Sequence, residues 1–332
     1  MRPTGGVISI NQKKSIVILT LFLILISLLS LMVGRYPKAG FSNPFKGELM
    51  RQVVLNVRLP RLLLAALGGA SLAMAGFVFQ MLFNNPLVEP GFLGVSQGAA
   101  FGAAAAITLG GSLLVVQLSA SFFGLLALLS SYWLARKFTY GGWILRLVLA
   151  GIAMGAFFSA GLSIIKLVAS PTTSLQDITF WMMGGLWNTT WKTLWSVMPT
   201  MIIILLLLLL FRWRINLLSL DERTAHSMGI AINREKAIFL LLATVATTSI
   251  ISVGGLIGWV GLIIPHLARR LFGANARYAL PGSMLLGAIF LVVSDTIGRA
   301  LLSSEIPLGV LTSLVGALLF VILFAGKRGK RV

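Results

Sequence analysis

Apolar residues run along this chain in stretches of roughly 16 to 26, broken by short polar joints that carry most of the charge. A helix rises about 1.5 Å per residue, so roughly 20 mostly apolar residues cross the ~30 Å hydrocarbon core of a bilayer. By that measure the chain divides into about ten helical segments: 15–33, 59–82, 92–109, 113–135, 143–168, 192–211, 236–253, 255–270, 279–300 and 307–325. Two of these, 92–109 and 255–270, are short and rich in glycine. The expected fold is an all-α integral membrane protein, a single transmembrane domain over residues 1–332 with about 15–325 embedded. The first run, Ile16 to Val33, is longer than a signal-peptide core of about 7–15 residues. The Gly34-Arg35-Tyr36 that follows is no small-x-small cleavage site, so the run reads as a retained transmembrane helix.

Charge sets the orientation. Ten spans place both termini on one side. If that side is the cytoplasm, the inside joints hold eighteen of the 27 Lys and Arg residues, the bias expected of cytoplasmic loops. Six external cations between residues 35 and 61 exceed what orientation requires. The order of helices also suggests two inverted quasi-repeats. In each half a full-length span precedes a short glycine-rich one, and broken segments at matching places of inverted halves point to a transport pathway.

Composition sharpens this picture. Of 332 residues 58% are hydrophobic and only 11% charged, too few charges to cover a soluble globule. The net charge of +19 would suggest nucleic acid in a soluble protein, but no basic domain stands apart from the apolar runs. With no cysteine there is no disulfide, thiol nucleophile or zinc-thiolate site. No phosphate-binding Gly-x4-Gly-Lys-Ser/Thr loop exists, so the chain is not expected to bind and hydrolyse ATP by itself. Eight carboxylates and two histidines are scattered without ligand spacing, which excludes a recognisable catalytic or metal site and implies no cofactor.

Four features remain. Asp295 and Arg299 share a helix face at i,i+4; they form either a structural ion pair or, with Arg58 and Arg61, part of an external basic patch for an acidic partner. Segment 143–168 carries Gly151, Gly155, Ser159 and Gly161 on a small-residue face, suited to close helix packing or to lining a pathway. The joint 169–191 and the helix start after it hold Trp181, Trp187, Trp191 and Trp195, residues typical of the membrane interface. The joint 212–235 contains Leu220, Asp221, Glu222, Arg223, Ala225 and Gly229, which read as a short cytoplasmic helix with Ser219 as N-cap and Gly229 as stop.

Several motifs then resemble one family. They are Arg58-Leu-Pro-Arg61; Gly69 to Ala73 with Gly76 and Gln80; Asn85-Pro-Leu87 with Pro90; and Leu93 to Ala99. In the second half they are Gly258 to Arg269, Asp295 with Arg299, and Glu305 to Gly309 with Gly316. These are similar to the iron-siderophore and cobalamin permeases of type II ABC importers. The resemblance implies a ten-helix subunit of a bacterial cytoplasmic membrane. It would pair with a second permease subunit, two cytoplasmic ATPase subunits and an extracytoplasmic solute-binding protein. It further implies that Leu220, Asp221, Glu222, Arg223, Ala225 and Gly229 couple to the ATPase, and that Arg58, Arg61 and Arg299 meet acidic residues of the binding protein. Some relatives have small hydroxyl residues at a cytoplasmic gate before the Arg-Leu-x-Leu-Ala-Gly motif; here Ile144 and Leu145 stand there. The function implied is ATP-driven import of a metal chelate, foremost an iron(III)-siderophore, with haem, cobalamin and oxyanions open. The competing class is an ion-gradient-driven secondary transporter, which would need a midplane carboxylate or cation site.

Overall fold

The computed structural model describes residues 12–36, 40–41, 43, 47–219 and 231–325. The expected coupling helix lies in 220–230, outside them. Among the described residues seven helices are long and apolar enough to cross a membrane. They are α1 (Gln12–Met32), α2 (Glu48–Leu82), α4 (Leu113–Lys137), α5 (Trp143–Val168), α7 (Trp191–Leu210), α9 (Ile232–Gly254) and α11 (Ala276–Ala300). Shorter helices sit between and after them: α3 (Val95–Thr108), α6 (Ser174–Met183), α8 (Arg212–Leu218), α10 (Val260–Phe272) and α12 (Leu308–Ala325). At about 1.5 Å per residue, the 14 residues of α3 and 13 of α10 reach only about 20 Å and fall short of a bilayer core.

Helix α2 is the axis of the bundle. In its most apolar window 83% of the residues are buried, against 6% for α1, whose leucines and isoleucines face outward to lipid. Glycine makes the central position possible. A Cβ on Gly69 would overlap the Gly287 carbonyl of α11, and one on Gly76 the Gly261 carbonyl of α10. The motif glycines thus serve backbone-to-backbone approach, which in lipid replaces the hydrophobic drive for helix association.

Two joints hold more structure than their polarity suggests. The joint 34–58 ends in helix from Glu48, with a wide π-helical turn at Val54–Arg58 that feeds straight into the long apolar part of α2. The tryptophan-rich joint contains α6 and closes at Gly184 (φ 68°). There the Gly184 carbonyl accepts the Leu308 N–H at 2.8 Å, tying the joint to the start of α12. Ser219 follows α8, and its Oγ donates to the Asn216 carbonyl at 2.8 Å. Its hydroxyl therefore closes the helix before it; the helix it was expected to cap lies outside the described residues.

Candidate functional site

Two constellations stand out: a cavity between the short helices, and an arginine cluster at the end of the bundle where α2 begins and α11 ends. The cavity has a volume of about 420 Å³ and lies against the starts of both α3 and α10. Each short helix begins from a left-handed residue, Gly94 (φ 76°) before α3 and Trp259 (φ 72°) before α10. Gly94 adopts this conformation freely, but an indole-bearing residue does so at a cost of about 1–3 kcal/mol and must be held there. Two contacts hold Trp259. Its ring packs edge-on against Phe320 at 6.1 Å and lies over Gly316, where an added Cβ would stand 2.6 Å from the Trp259 Cβ.

Among the described residues Glu89 is the one ionisable group on the cavity wall, beside Ser96, Gln97 and Thr247. It lies in the connection between α2 and α3. Burial pushes its carboxyl above the ordinary carboxylate range, while the Trp259 N–H draws it partly back. Among the described residues Gln97 Oε1 is buried without a hydrogen-bond donor, leaving an acceptor in the wall. Behind the wall, buried Gln80 donates to the Leu262 carbonyl at 2.9 Å, and its Oε1 accepts from Arg269. This side chain fixes half-length α10 against α2.

The arginines expected to act together do converge, but as buried groups. Arg61 is 8% exposed and spans two carboxylates. Its Nε donates to Asp295 Oδ1 at 2.9 Å and Oδ2 at 3.1 Å, and its Nη1 to Glu305 at 3.0 Å. Arg299 Nε stands 3.6 Å from Asp295 Oδ2, so the i,i+4 pair exists but is the looser of the two. Arg58 donates to the carbonyls of Leu31 at 2.8 Å and Tyr36 at 3.1 Å, and Arg299 Nη2 to the carbonyl and hydroxyl of Ser30. Ser30 in turn meets Thr296 Oγ1 at 2.7 Å. The last carbonyls of a helix lack partners within it, and here two guanidiniums supply them for lipid-facing α1.

The small-residue face of α5 divides by depth. Gly151 is buried, and a Cβ there would stand 2.5 Å from the Phe92 carbonyl, so it serves close packing. Gly155 is half-buried, 3.7 Å by the same measure from Gly94, and Ser159 is exposed. Of the two residues at the expected gate, Ile144 packs among Leu82, Phe83, Tyr132 and Leu147, whereas Leu145 is 44% exposed. Leu220, Asp221, Glu222, Arg223, Ala225 and Gly229 lie outside the described residues. Sequence reasoning set Glu89 aside as a loop carboxylate. The available signal was its place between Pro86 and Pro90, in a joint leading into a short helix.

Comparison with known proteins agrees with this architecture. Residues 19–326 match the model of the FecCD transport family. The molybdate import system permease protein MolB of Haemophilus influenzae is 37% identical over 325 residues, covering 94% of this chain and 95% of that protein. The hemin transport system permease protein HmuU of Yersinia pestis is 36% identical over 296 residues, covering 87% and 88%. A solved metal-chelate type ABC transporter in an inward-facing conformation superimposes with a TM-score of 0.89 at 37% identity, over 95% of this chain and 99% of that one. With its family model spanning nearly the whole length and a bundle of apolar helices to match, the chain belongs to the FecCD transport family as a multi-pass, non-enzymatic permease subunit of an ABC importer.

Proposed function

We propose that this permease carries a metal chelate inward through a type II importer by alternating access, and that the cargo is an iron(III)-siderophore of neutral or positive charge. The observation that carries the choice of cargo is the cavity wall. Among the described residues it has one carboxylate, Glu89, and no cation in its lining, and in a low-dielectric site a like charge opposes an entering anion. The relatives' names include a molybdate and a hemin permease; the wall argues against an oxyanion here. The left-handed starts of α3 and α10 on one cavity support reading the halves as inverted repeats, and the excess of Lys and Arg in the joints on the side of the termini supports placing both termini in the cytoplasm.

In this reading the partners are a second permease subunit, two ATPase subunits on the cytoplasmic side and a solute-binding protein outside. The segment 212–235, with Leu220, Asp221, Glu222, Arg223, Ala225 and Gly229, transmits the ATPase motion. The arginine cluster receives the binding protein. Three guanidiniums against Asp295 and Glu305 leave a formal excess of one positive charge (3 − 2) at that end. Docking is then a competition between the binding protein's carboxylates and acceptors within this chain. Arg58, which donates to main-chain carbonyls, is the cleaner site at which to test it.

Purification of the chain from its native membrane in mild detergent, with mass spectrometry of what accompanies it, tests the proposal. An ATPase in about equal amount together with a bound iron chelate is the expected result. A lone chain that drives uptake from an ion gradient, or a bound oxyanion, overturns it. A proline placed within 219–229 should separate ATP hydrolysis from uptake; unchanged transport would remove the coupling assignment.

A further inference from the structure

At the far end of α11 from the arginine cluster, about 35 Å away by helix length, a second cavity of about 410 Å³ opens beside the end of α7. We infer that it is a binding site for the phosphate headgroup of an anionic phospholipid. Its wall combines Arg212 and Arg277 with Trp213, Leu210, Asn216 and Asn275.

The polar floor is rigid. Asn216 Nδ2 donates to Asn275 Oδ1 at 3.1 Å, and the two amide oxygens accept the N–H groups of Ala276 and Arg277 at 2.8 and 2.9 Å. These bonds cap α11, so the helix end is already satisfied and the anion-attracting groups are the two arginines. Their neighbour Arg214 is engaged, paired with Glu235 and lying over the rings of Phe211 and Trp213. Among the described residues neither Arg212 nor Arg277 has a carboxylate partner, and the lining contains no acid. Arg277 lies over the ring of Tyr278, and two outward cations that meet no anion among the described residues call for one from outside.

What selects a lipid is continuity with the hydrocarbon-facing surface. Leu206, Leu210 and Phe211 are exposed along the last turns of α7, and Trp213 is 56% exposed at its end. An acyl chain lying on those leucines brings its phosphate level with Arg212 and Arg277, and the indole occupies the boundary position that tryptophan favours. Basic pockets between helices hold anionic headgroups in this way.

The test titrates the delipidated full-length permease with phosphatidylglycerol or phosphatidylcholine and reads the first bound lipid by native mass spectrometry. Phosphatidylglycerol is expected to bind about 30-fold more tightly, from two near-surface arginines. Arg212→Gln with Arg277→Gln removes the preference. The paired Arg→Lys substitutions, which keep charge and fold, retain it, and Lys192→Gln in the first turn of α7 changes nothing. Equal binding of the two lipids, or a preference that survives the double glutamine variant, overturns the site. Displacement of phosphatidylglycerol by millimolar inorganic phosphate would make it a free-phosphate site, and its exclusion from the assembled ATPase complex would make it a protein contact. Either result also rejects the lipid.

Discussion

Replacing Asp295 by alanine should be among the most damaging single changes in this permease, and the arginine cluster says by how much. The carboxylate is 3% exposed, accepts two hydrogen bonds from Arg61 Nε at 2.9 and 3.1 Å, and lies 3.6 Å from Arg299 Nε. Its removal leaves two buried guanidiniums short of counter-charge. Arg61 keeps Glu305, which is partly solvated, and Arg299 keeps only Ser30 beside a buried Nε with no hydrogen-bond partner. Breaking a buried pair from one side costs about 3–5 kcal/mol, whereas exchanging both partners for apolar groups of similar size is often close to neutral. At about 2 °C per kcal/mol for a chain of this size, Asp295→Ala should lower the melting temperature by about 6–10 °C. Arg61→Met combined with Asp295→Leu should recover at least half of that loss. Thermal scans in mild detergent read this directly from the eight native tryptophans. A single variant that melts within about 1 °C of the parent, or a double variant that melts below the single, would refute the reasoning.

Gly69→Val forces a side chain into the Gly287 carbonyl and should abolish monodisperse protein in gel filtration; Gly142→Ala, with nothing within 4 Å, should behave as the parent. The raised Glu89 carboxyl gives a pH dependence of known sign. As pH falls through its elevated value the group takes up a proton, the wall loses its negative charge, and uptake of anionic chelates rises relative to cationic ones. Glu89→Gln should give a flat ratio in reconstituted vesicles, and a variant that keeps the parent's pH dependence would take Glu89 out of the pathway. Arg58→Glu should weaken docking of the binding protein most strongly at low salt; docking unchanged at low ionic strength removes the electrostatic contact.

Hydrophobic run length was enough to identify a multi-pass helical membrane protein, because the bilayer imposes a length on every spanning helix regardless of what it touches. The glycine motifs likewise announced close helix crossings and a family. Partners were not readable from the chain. Asp295 and Arg299 at i,i+4 looked like the natural pair, yet Arg61, 234 positions earlier, holds the carboxylate more closely. The crossing of α2 with α11 at Gly69 and Gly287 brings those two helices side by side, and sequence spacing encodes no such meeting. The external charge excess read as a surface patch. In the fold two of its arginines turn inward: Arg58 to a carbonyl in the last turn of α1, which lacks a partner within the helix, and Arg61 to the carboxylates of Asp295 and Glu305. Glu89 gained its place only when the connection after α2 folded back against α10, bringing one carboxylate to the strained residue that starts a half-length helix. Local pattern determined which segments enter the membrane. Which polar groups survive there, and beside whom, was decided by the tertiary requirement that each buried charge and each unpaired carbonyl find a partner.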